Sequence, residues 1–448
     1  MALAALLCLG LGALPGRVEA NEVQRAENTV PESPEDLPDQ LSRAFEEAPE
    51  EEPVPTRARD AKFPFLTGSR LVFRSRSYDF RRDLRDVTES GALDTENRAA
   101  ATGGELAFST GKWRDLLSGE LGLYTSQKIW GPRDKGGTGL LTPEQNSITV
   151  LGRARVELKR GNTVLRLYRQ ALNLPYVNTS DSRMIPNTHE AYLLGRAGTG
   201  RDFVIGHVRQ MKTRDTDDFR TMGEVAGVSG SDDGLTMAGF RIGSRQTLQF
   251  GVITQQTWNL FNTTYAEINR LRVFNDDLSL DWGAQYTHQR SVGDELLGDL
   301  DSYAWGGRGT LGYRGRYLNL SYTQIQDNAR IRNPFGGTAL YNSTMLSDFD
   351  AAGERSLRLG TAINMARFGL PSWGGYLSVA HGWNRGLETS DASLPDQTGY
   401  DLTIDYRPTS GVLKGLWARL RFAYIGFENS NGHRKNLRLI LNYELPEF

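Results

Sequence analysis

The chain has 448 residues, 38% of them hydrophobic and 49 of them glycine, with 52 basic and 54 acidic side chains for a formal net charge of −2. That length suits two or three ordinary domains or one large all-β barrel, and a wet-lumened barrel needs few apolar residues because one face of every strand meets water. Beyond residue 20 no apolar run reaches the length of a membrane-spanning helix, which excludes a helical membrane protein.

In chain order, MALAALLCLGLGALPGRVEA comes first. Its apolar stretch from Ala2 to Leu14 is followed by Pro15 and Gly16 and ends in Val18-Glu19-Ala20, so residues 1–20 read as a secretory signal peptide cut after Ala20. The one cysteine, Cys8, lies inside this peptide. The mature chain therefore carries neither a disulfide nor a thiolate metal site, and no metal or cofactor is expected. Residues 21–60 hold twelve acidic and four basic side chains with repeated proline (PESPEDLPDQ, EEAPEEEPVP). They read as an acidic, Pro-rich flexible leader that cannot bury enough apolar surface to fold alone. A short helix near 37–47, a regulatory plug and a periplasmic partner site are alternatives for it. Residues 61–448 keep 47 basic and 41 acidic side chains, a net charge of +6 that suits anionic ligands or the phosphates of lipopolysaccharide.

From Gly68 onward the sequence alternates with period two between breaks of Gly, Asn, Asp and Pro. In RARVELK, Ala154, Val156 and Leu158 form one face and Arg153, Arg155, Glu157 and Lys159 the other. TVLRLYRQ sets Leu165 and Leu167 against Arg166 and Tyr168, and DLTIDYR sets Leu402, Ile404 and Tyr406 against Thr403, Asp405 and Arg407. In GLWARLRFAYIGF, Leu416, Ala418, Leu420, Phe422 and Tyr424 oppose Arg419 and Arg421. The last segment sets Leu437, Leu439, Leu441, Tyr443 and Leu445 against Arg438, Ile440 and Asn442, with Phe448 out of phase at the end. Short breaks alternate with long polar gaps at 131–146, 215–233 and 328–347, which are expected to lie outside the cell. A secreted β-rich binding or carbohydrate-active protein shares the alternation and stays open at this point.

One stretch is more specific. VLRLYRQALNLPYVNTSDSRMIPNTHE, residues 164–190, resembles the constriction-loop region of the OprD-type outer-membrane porins: a strand, a Pro-containing bend, then Asp181, Arg183, Met184-Ile185, Pro186 and Thr188, with His189 where an aromatic is expected. HVRQMKTRDTDDF, SDFDAAGERSLRLG, FGLPSW, LKGLWARLRFAY and NLRLILNYELP resemble later parts of the family in the same order. The resemblance implies a transmembrane antiparallel β-barrel of about eighteen strands over residues 61–448, a monomer, with a constriction loop around 171–192 folded inward. It also implies an electronegative pocket near the constriction, a ladder of basic side chains along one wall, and facilitated diffusion of small carboxylate-bearing solutes such as amino acids or aromatic and aliphatic acids. A general, low-selectivity channel of the same architecture is the alternative. Localisation follows as the bacterial outer membrane, with its lipid, lipopolysaccharide and the barrel-assembly machinery as partners.

If the strands span a bilayer, an arginine on the lipid face near the midplane costs about 2–4 kcal/mol, so Arg419 and Arg421 must face the lumen. There a guanidinium can hold a carboxylate by two parallel hydrogen bonds. Arg166, Arg419, Arg421 and Arg438 are the ladder candidates, each alternatively a solvated or salt-bridged lumen residue. Asp181 and Arg183 either shape and charge the constriction or pair with each other to pin the loop. Tyr168 lines the eyelet or serves in a girdle.

Catalysis finds no support. A peptidase label is attached to the family, but GVSGSD is not a G-x-S-x-G elbow, and the five histidines (189, 207, 288, 381 and 433) show no metal-binding spacing. FGGT and KGGTG lack the lysine and helix of a phosphate loop. Basic residues spread singly over strands argue against nucleic acid.

Overall fold

The computed structural model describes residues 65, 68–88, 91–198, 200–387, 390–408 and 410–444. The segments read as signal peptide and acidic leader, the helix considered near 37–47, and Phe448 lie outside the described residues.

The period-two segments become antiparallel strands. They run as β1 (Arg70–Thr88), β2 (Gly91–Ser109), β3 (Leu117–Trp130), β4 (Ile148–Arg160), β5 (Thr163–Gln170), β6 (Thr188–Arg196), β7 (Arg201–Lys212), β8 (Leu235–Ser244) and β9 (Leu248–Thr257). The second half holds β10 (Phe261–Asn275), β11 (Leu278–Ser291), β12 (Asp301–Tyr313), β13 (Arg316–Ile325), β14 (Arg355–Asn364), β15 (Trp373–Trp383), β16 (Gln397–Tyr406), β17 (Leu416–Phe427) and β18 (His433–Glu444). Each pairs with its sequence neighbours, and β18 pairs back onto β1 from Arg74↔Glu444 to Arg85↔His433. The sheet thus closes into an eighteen-stranded barrel. Closure satisfies the edge hydrogen bonds that lipid cannot.

Connections differ at the two rims. The rim carrying Arg70 and Glu444 has only short turns, such as 161–162 and 314–315, whereas 131–147, 171–187, 213–234 and 326–354 leave the other rim. Short turns mark the periplasmic end and long loops the extracellular end.

Orientation follows the bilayer. On β17, Leu420, Phe422 and Tyr424 point outward and are 40, 41 and 37% exposed, while Arg419 points inward at 5%. β18 repeats this with Leu437, Leu439 and Leu441 outside and Arg438 inside. Aromatic pairs mark both interfaces: Trp373 and Tyr406 stand 4.8 Å apart near the turn rim, and Tyr322 lies 5.4 Å from Trp305 and 6.4 Å from Trp383 near the loop rim. Leu420→Arg is expected to lower the free energy of unfolding from lipid by about 2–4 kcal/mol, read by urea titration in liposomes.

The long loops correct one expectation. The gaps at 131–146 and 328–347 do not stand out from the cell: Leu140, Leu141, Ile331, Phe335 and Leu340 are buried inside the barrel. The reason is the hydrophobic effect acting on apolar side chains scattered through otherwise polar loops, which the lumen alone can take out of water. Two apolar clusters result. One joins Leu174, Tyr176 and Val177 of loop 171–187 with Phe335 and Leu340 of loop 326–354 and with Val208 of β7 and Tyr265 of β10. The other joins Met184 and Ile185 with Leu140, Leu141, Tyr78, Phe80 and Ile148.

Candidate pore constriction

Loop 171–187 crosses the lumen because its two ends are apolar and its middle is not. Leu174, Tyr176 and Val177 sit in the first cluster, with a two-residue hairpin (Asn173–Leu174 against Val177–Asn178) turning at Pro175-Tyr176. The Tyr176 hydroxyl lies 2.8 Å from the Thr287 hydroxyl, and the Pro175 carbonyl accepts from Gln255 Nε2 at 2.8 Å. Met184 and Ile185 sit in the second cluster. The polar stretch between, Thr179 to Ser182, lines the open cavity.

Loop 326–354 locks onto this bar. The Asn178 N–H donates to the Phe335 carbonyl at 3.1 Å, and the Asn178 side chain donates to the Gly337 carbonyl and accepts from the Gly337 N–H, both at 2.8 Å. Gly336 makes the approach possible. Its φ is +146°, and a Cβ there would lie 2.5 Å from Asn178 Oδ1 and 2.7 Å from the Asn178 carbonyl oxygen. Gly336→Ala is therefore expected to loosen the junction and raise current noise while the barrel still folds, as judged by heat-modifiable migration.

The remaining cavity, about 1380 Å³, is bounded by β1, β17 and β18 on one side and by the inward loops on the other. Arg421 on β17 and Arg438 on β18 face each other in register, and Arg438 faces Phe80 on β1. Like charges directly opposite destabilise a sheet. Among the described residues, neither arginine makes an ion pair. Cation–π contact offsets part of the cost: the Arg438 guanidinium lies 4.7 Å from the centre of the fully buried Phe80 ring and the Arg183 guanidinium 4.9 Å. Arg438 also donates to the Met345 carbonyl at 3.2 Å, which ties loop 326–354 to the wall.

The other candidates are placed differently. Asp181 and Arg183 do not pair with each other. Asp181 accepts from Nη1 and Nη2 of Arg76 on β1 at 2.7 and 3.2 Å, while Arg183 donates to the Thr138 and Ser182 carbonyls at 2.7 and 2.9 Å. The Arg76–Asp181 bridge thus straps the bar to the wall. Arg419 is held on both oxygens of Asp405 at 2.7 and 3.1 Å, both side chains buried. Arg166 is buried with Nε 2.8 Å from Glu157. Tyr168 is 41% exposed, with its backbone left-handed at φ 79°. Asp181, Arg183, Arg419, Arg421 and Arg438 share the cavity, whereas Arg166 and Tyr168 stand apart from it.

Asp348 and Asp350 are acids on the loop side, with Glu105 and Glu444 on the wall. Asp348 accepts from Asn333 Nδ2 at 2.9 Å and from the Ser343 hydroxyl at 2.6 Å, and Asp350 accepts from Arg330 at 2.7 Å. Burial, reinforced by Asp348, pushes the Asp350 carboxyl up to about 6.

Sequence reasoning missed Arg76, Phe80, Arg82 and Arg214. A signal existed on β1, where RLVFRSRSYDFRR places Arg74, Arg76, Tyr78, Phe80 and Arg82 on one face. Two aromatics on the polar face hide that the face is the lumen's.

A closed barrel with an apolar outer belt and a charged, loop-narrowed lumen defines an outer-membrane channel. Residues 64–446 match the outer membrane porin, OprD family, and the chain belongs to that family. It is a channel of the bacterial outer membrane and not an enzyme. Porin D of Pseudomonas aeruginosa is 23% identical over 418 residues, covering 85% of this chain and 91% of that protein. Among solved structures, P. aeruginosa OpdK with vanillate superposes with a TM-score of 0.76 at 20% identity, over 86% of this chain and all of that one. P. aeruginosa OpdG superposes with a TM-score of 0.75 at 22% identity, over 85% and 99%.

Proposed function

We propose that the pore imports small carboxylate-bearing solutes by facilitated diffusion, recognised by a short ladder of arginines along β17, β18 and β1. The observation that carries this is the pair Arg421 and Arg438, opposite one another in register, with no ion pair to a carboxylate among the described residues. A partly desolvated guanidinium offers a carboxylate two parallel hydrogen bonds. Arg76 continues the ladder towards the periplasm, its charge shared with Asp181. Arg419 contributes less because Asp405 occupies it on both oxygens. Arg166 and Tyr168 are assigned to the wall rather than to the solute path. Several modest sites in sequence let an anion enter and leave without one deep well. Vanillate, present in the OpdK structure, is an aromatic carboxylate and fits this class.

Action as a monomer is what the family resemblance implies. The cationic body suits contact with lipopolysaccharide phosphates, and insertion by the barrel-assembly machinery completes the partner set.

The test is single-channel recording in planar bilayers with a panel of aromatic, aliphatic and amino-acid carboxylates against neutral analogues of equal size. Carboxylates are expected to interrupt the current in a concentration-dependent way and neutral analogues are not. Indifference to both sinks the reading.

Acidity modulates the same passage. Asp350 lines the cavity and its carboxyl is neutral below about pH 6 and charged above. Acidifying from pH 7 to pH 5 removes negative charge from the loop side, so the anion-to-cation permeability ratio is expected to rise. Reversal potentials in a salt gradient measure it, and Asp350→Asn is expected to flatten the dependence.

A further inference from the structure

Eleven of the twelve arginines that line the cavity, all but Arg434, fall into two groups. Six have carboxylate partners: Arg74 with Glu105, Arg76 with Asp181, Arg153 with Glu120, Arg330 with Asp350, Arg385 with Glu354, and Arg419 with Asp405. Five others hydrogen-bond only neutral oxygens or, for Arg421, no described residue at all. Arg82 donates to Asn97 Oδ1 at 2.9 Å and to the Gly137 carbonyl at 2.8 Å, and Arg183 takes the adjoining Thr138 carbonyl at 2.7 Å. Arg214 donates to the Ser182 hydroxyl at 2.9 Å, which Arg183 also approaches at 3.2 Å. Arg438 holds the Met345 carbonyl and faces Arg421. Asp401, on the strand beside Arg421, accepts from the Met345 N–H at 3.2 Å and makes no ion pair with the five among the described residues.

The five form one node. Arg82, Arg183 and Arg438 all lie within 6 Å of the Phe80 ring centre, and all five side chains line the same cavity. Their supports differ. Arg421, Arg438 and Arg82 stand on the barrel wall, whereas Arg183 stands on loop 171–187 and Arg214 on loop 213–234, both lining the cavity. A solute with one negative charge can satisfy one of these sets and leaves the rest of the field uncompensated. A solute with two separated negative groups can engage both, adding charge-assisted hydrogen bonds at each end.

Building on the proposed carboxylate reading, we infer that the node is a two-seat site for dianions. Arg421 and Arg438 hold one carboxylate, Arg183 and Arg214 hold the other, and dicarboxylates are preferred over monocarboxylates of the same length.

The mature full-length chain in planar bilayers at low salt tests this with succinate, its monomethyl ester and glycerol phosphate. Folding of each variant is confirmed by heat-modifiable migration. Succinate is expected to interrupt the current with an apparent affinity about tenfold above its monomethyl ester, the factor that one added charge-assisted contact supplies. Arg183→Met with Arg214→Met is expected to bring succinate down to the level of the ester. Equal affinities in the unaltered channel overturn the two-seat site and leave the carboxylate reading standing. Glycerol phosphate binding more tightly than succinate also overturns it, because a compact dianion would then suffice. No interaction with either succinate or the ester overturns both.

Discussion

Replacing Arg421 and Arg438 together with glutamine lowers the apparent affinity of carboxylates for the pore by about a hundredfold, while the barrel still folds and conducts. The magnitude follows from hydrogen bonds to charged groups, worth about 1.5–3 kcal/mol each, set against about 1.4 kcal/mol for each factor of ten. A wet lumen places each guanidinium at the low end of that range, so each contributes about tenfold. Folding survives because the two arginines make no ion pair whose loss would strand a buried carboxylate among the described residues. Relief of the cross-strand repulsion between them even favours the sheet. Arg419→Gln is the contrasting case. It leaves Asp405 buried and uncompensated except for the Trp417 indole N–H at 2.7 Å, so it lowers barrel stability more than it changes solute binding. Concentration dependence of current interruption, with urea titration beside it, separates the two outcomes.

The second large effect belongs to the bar across the lumen. Exchanging residues 174–185 for a short Gly-Ser link raises single-channel conductance several-fold and removes most of the difference between carboxylates and neutral solutes. Two losses act together. The exchange deletes the apolar anchors Leu174, Tyr176, Val177, Met184 and Ile185, whose burial holds the crossing in place. It also frees loop 326–354 from its hydrogen bonds with Asn178, so the lumen widens on both sides of the former crossing. The strands that carry the basic wall are untouched. Arg421 and Arg438 then face a wide aqueous channel in which water screens them, and selectivity falls although the charges remain.

The barrel was legible in the sequence because the bilayer imposes one rule on every strand. Leu420 and Phe422 outside with Arg419 inside is a period-two code read correctly from GLWARLRFAYIGF. Loops obey no such code. Loop 326–354 enters the lumen through Ile331, Phe335 and Leu340, which are too few and too irregularly spaced to stand out among Asn, Gly and Thr. Charge state was equally hidden. Arg419 and Arg421 look alike two residues apart, yet β16 presents Asp405 opposite the first and Thr403 opposite the second. Pairing across strands decides which arginine keeps a free charge, and it becomes visible only once register is known. Asp181 shows the same limit, since its partner Arg76 lies 105 residues away on β1.

The sequence supplies a clean way to test which side of β17 solutes meet. The sequence has one cysteine, Cys8, so with Cys8→Ser in the background a thiol introduced on the barrel is unique. Arg421→Cys and Leu420→Cys are compared in single channels exposed to a membrane-impermeant, negatively charged thiosulfonate. Modification at position 421 is expected to cut anion current in steps, and position 420 is expected to stay silent. Reaction at 420 with an inert 421 would place the arginine outside the solute path and contradict the account.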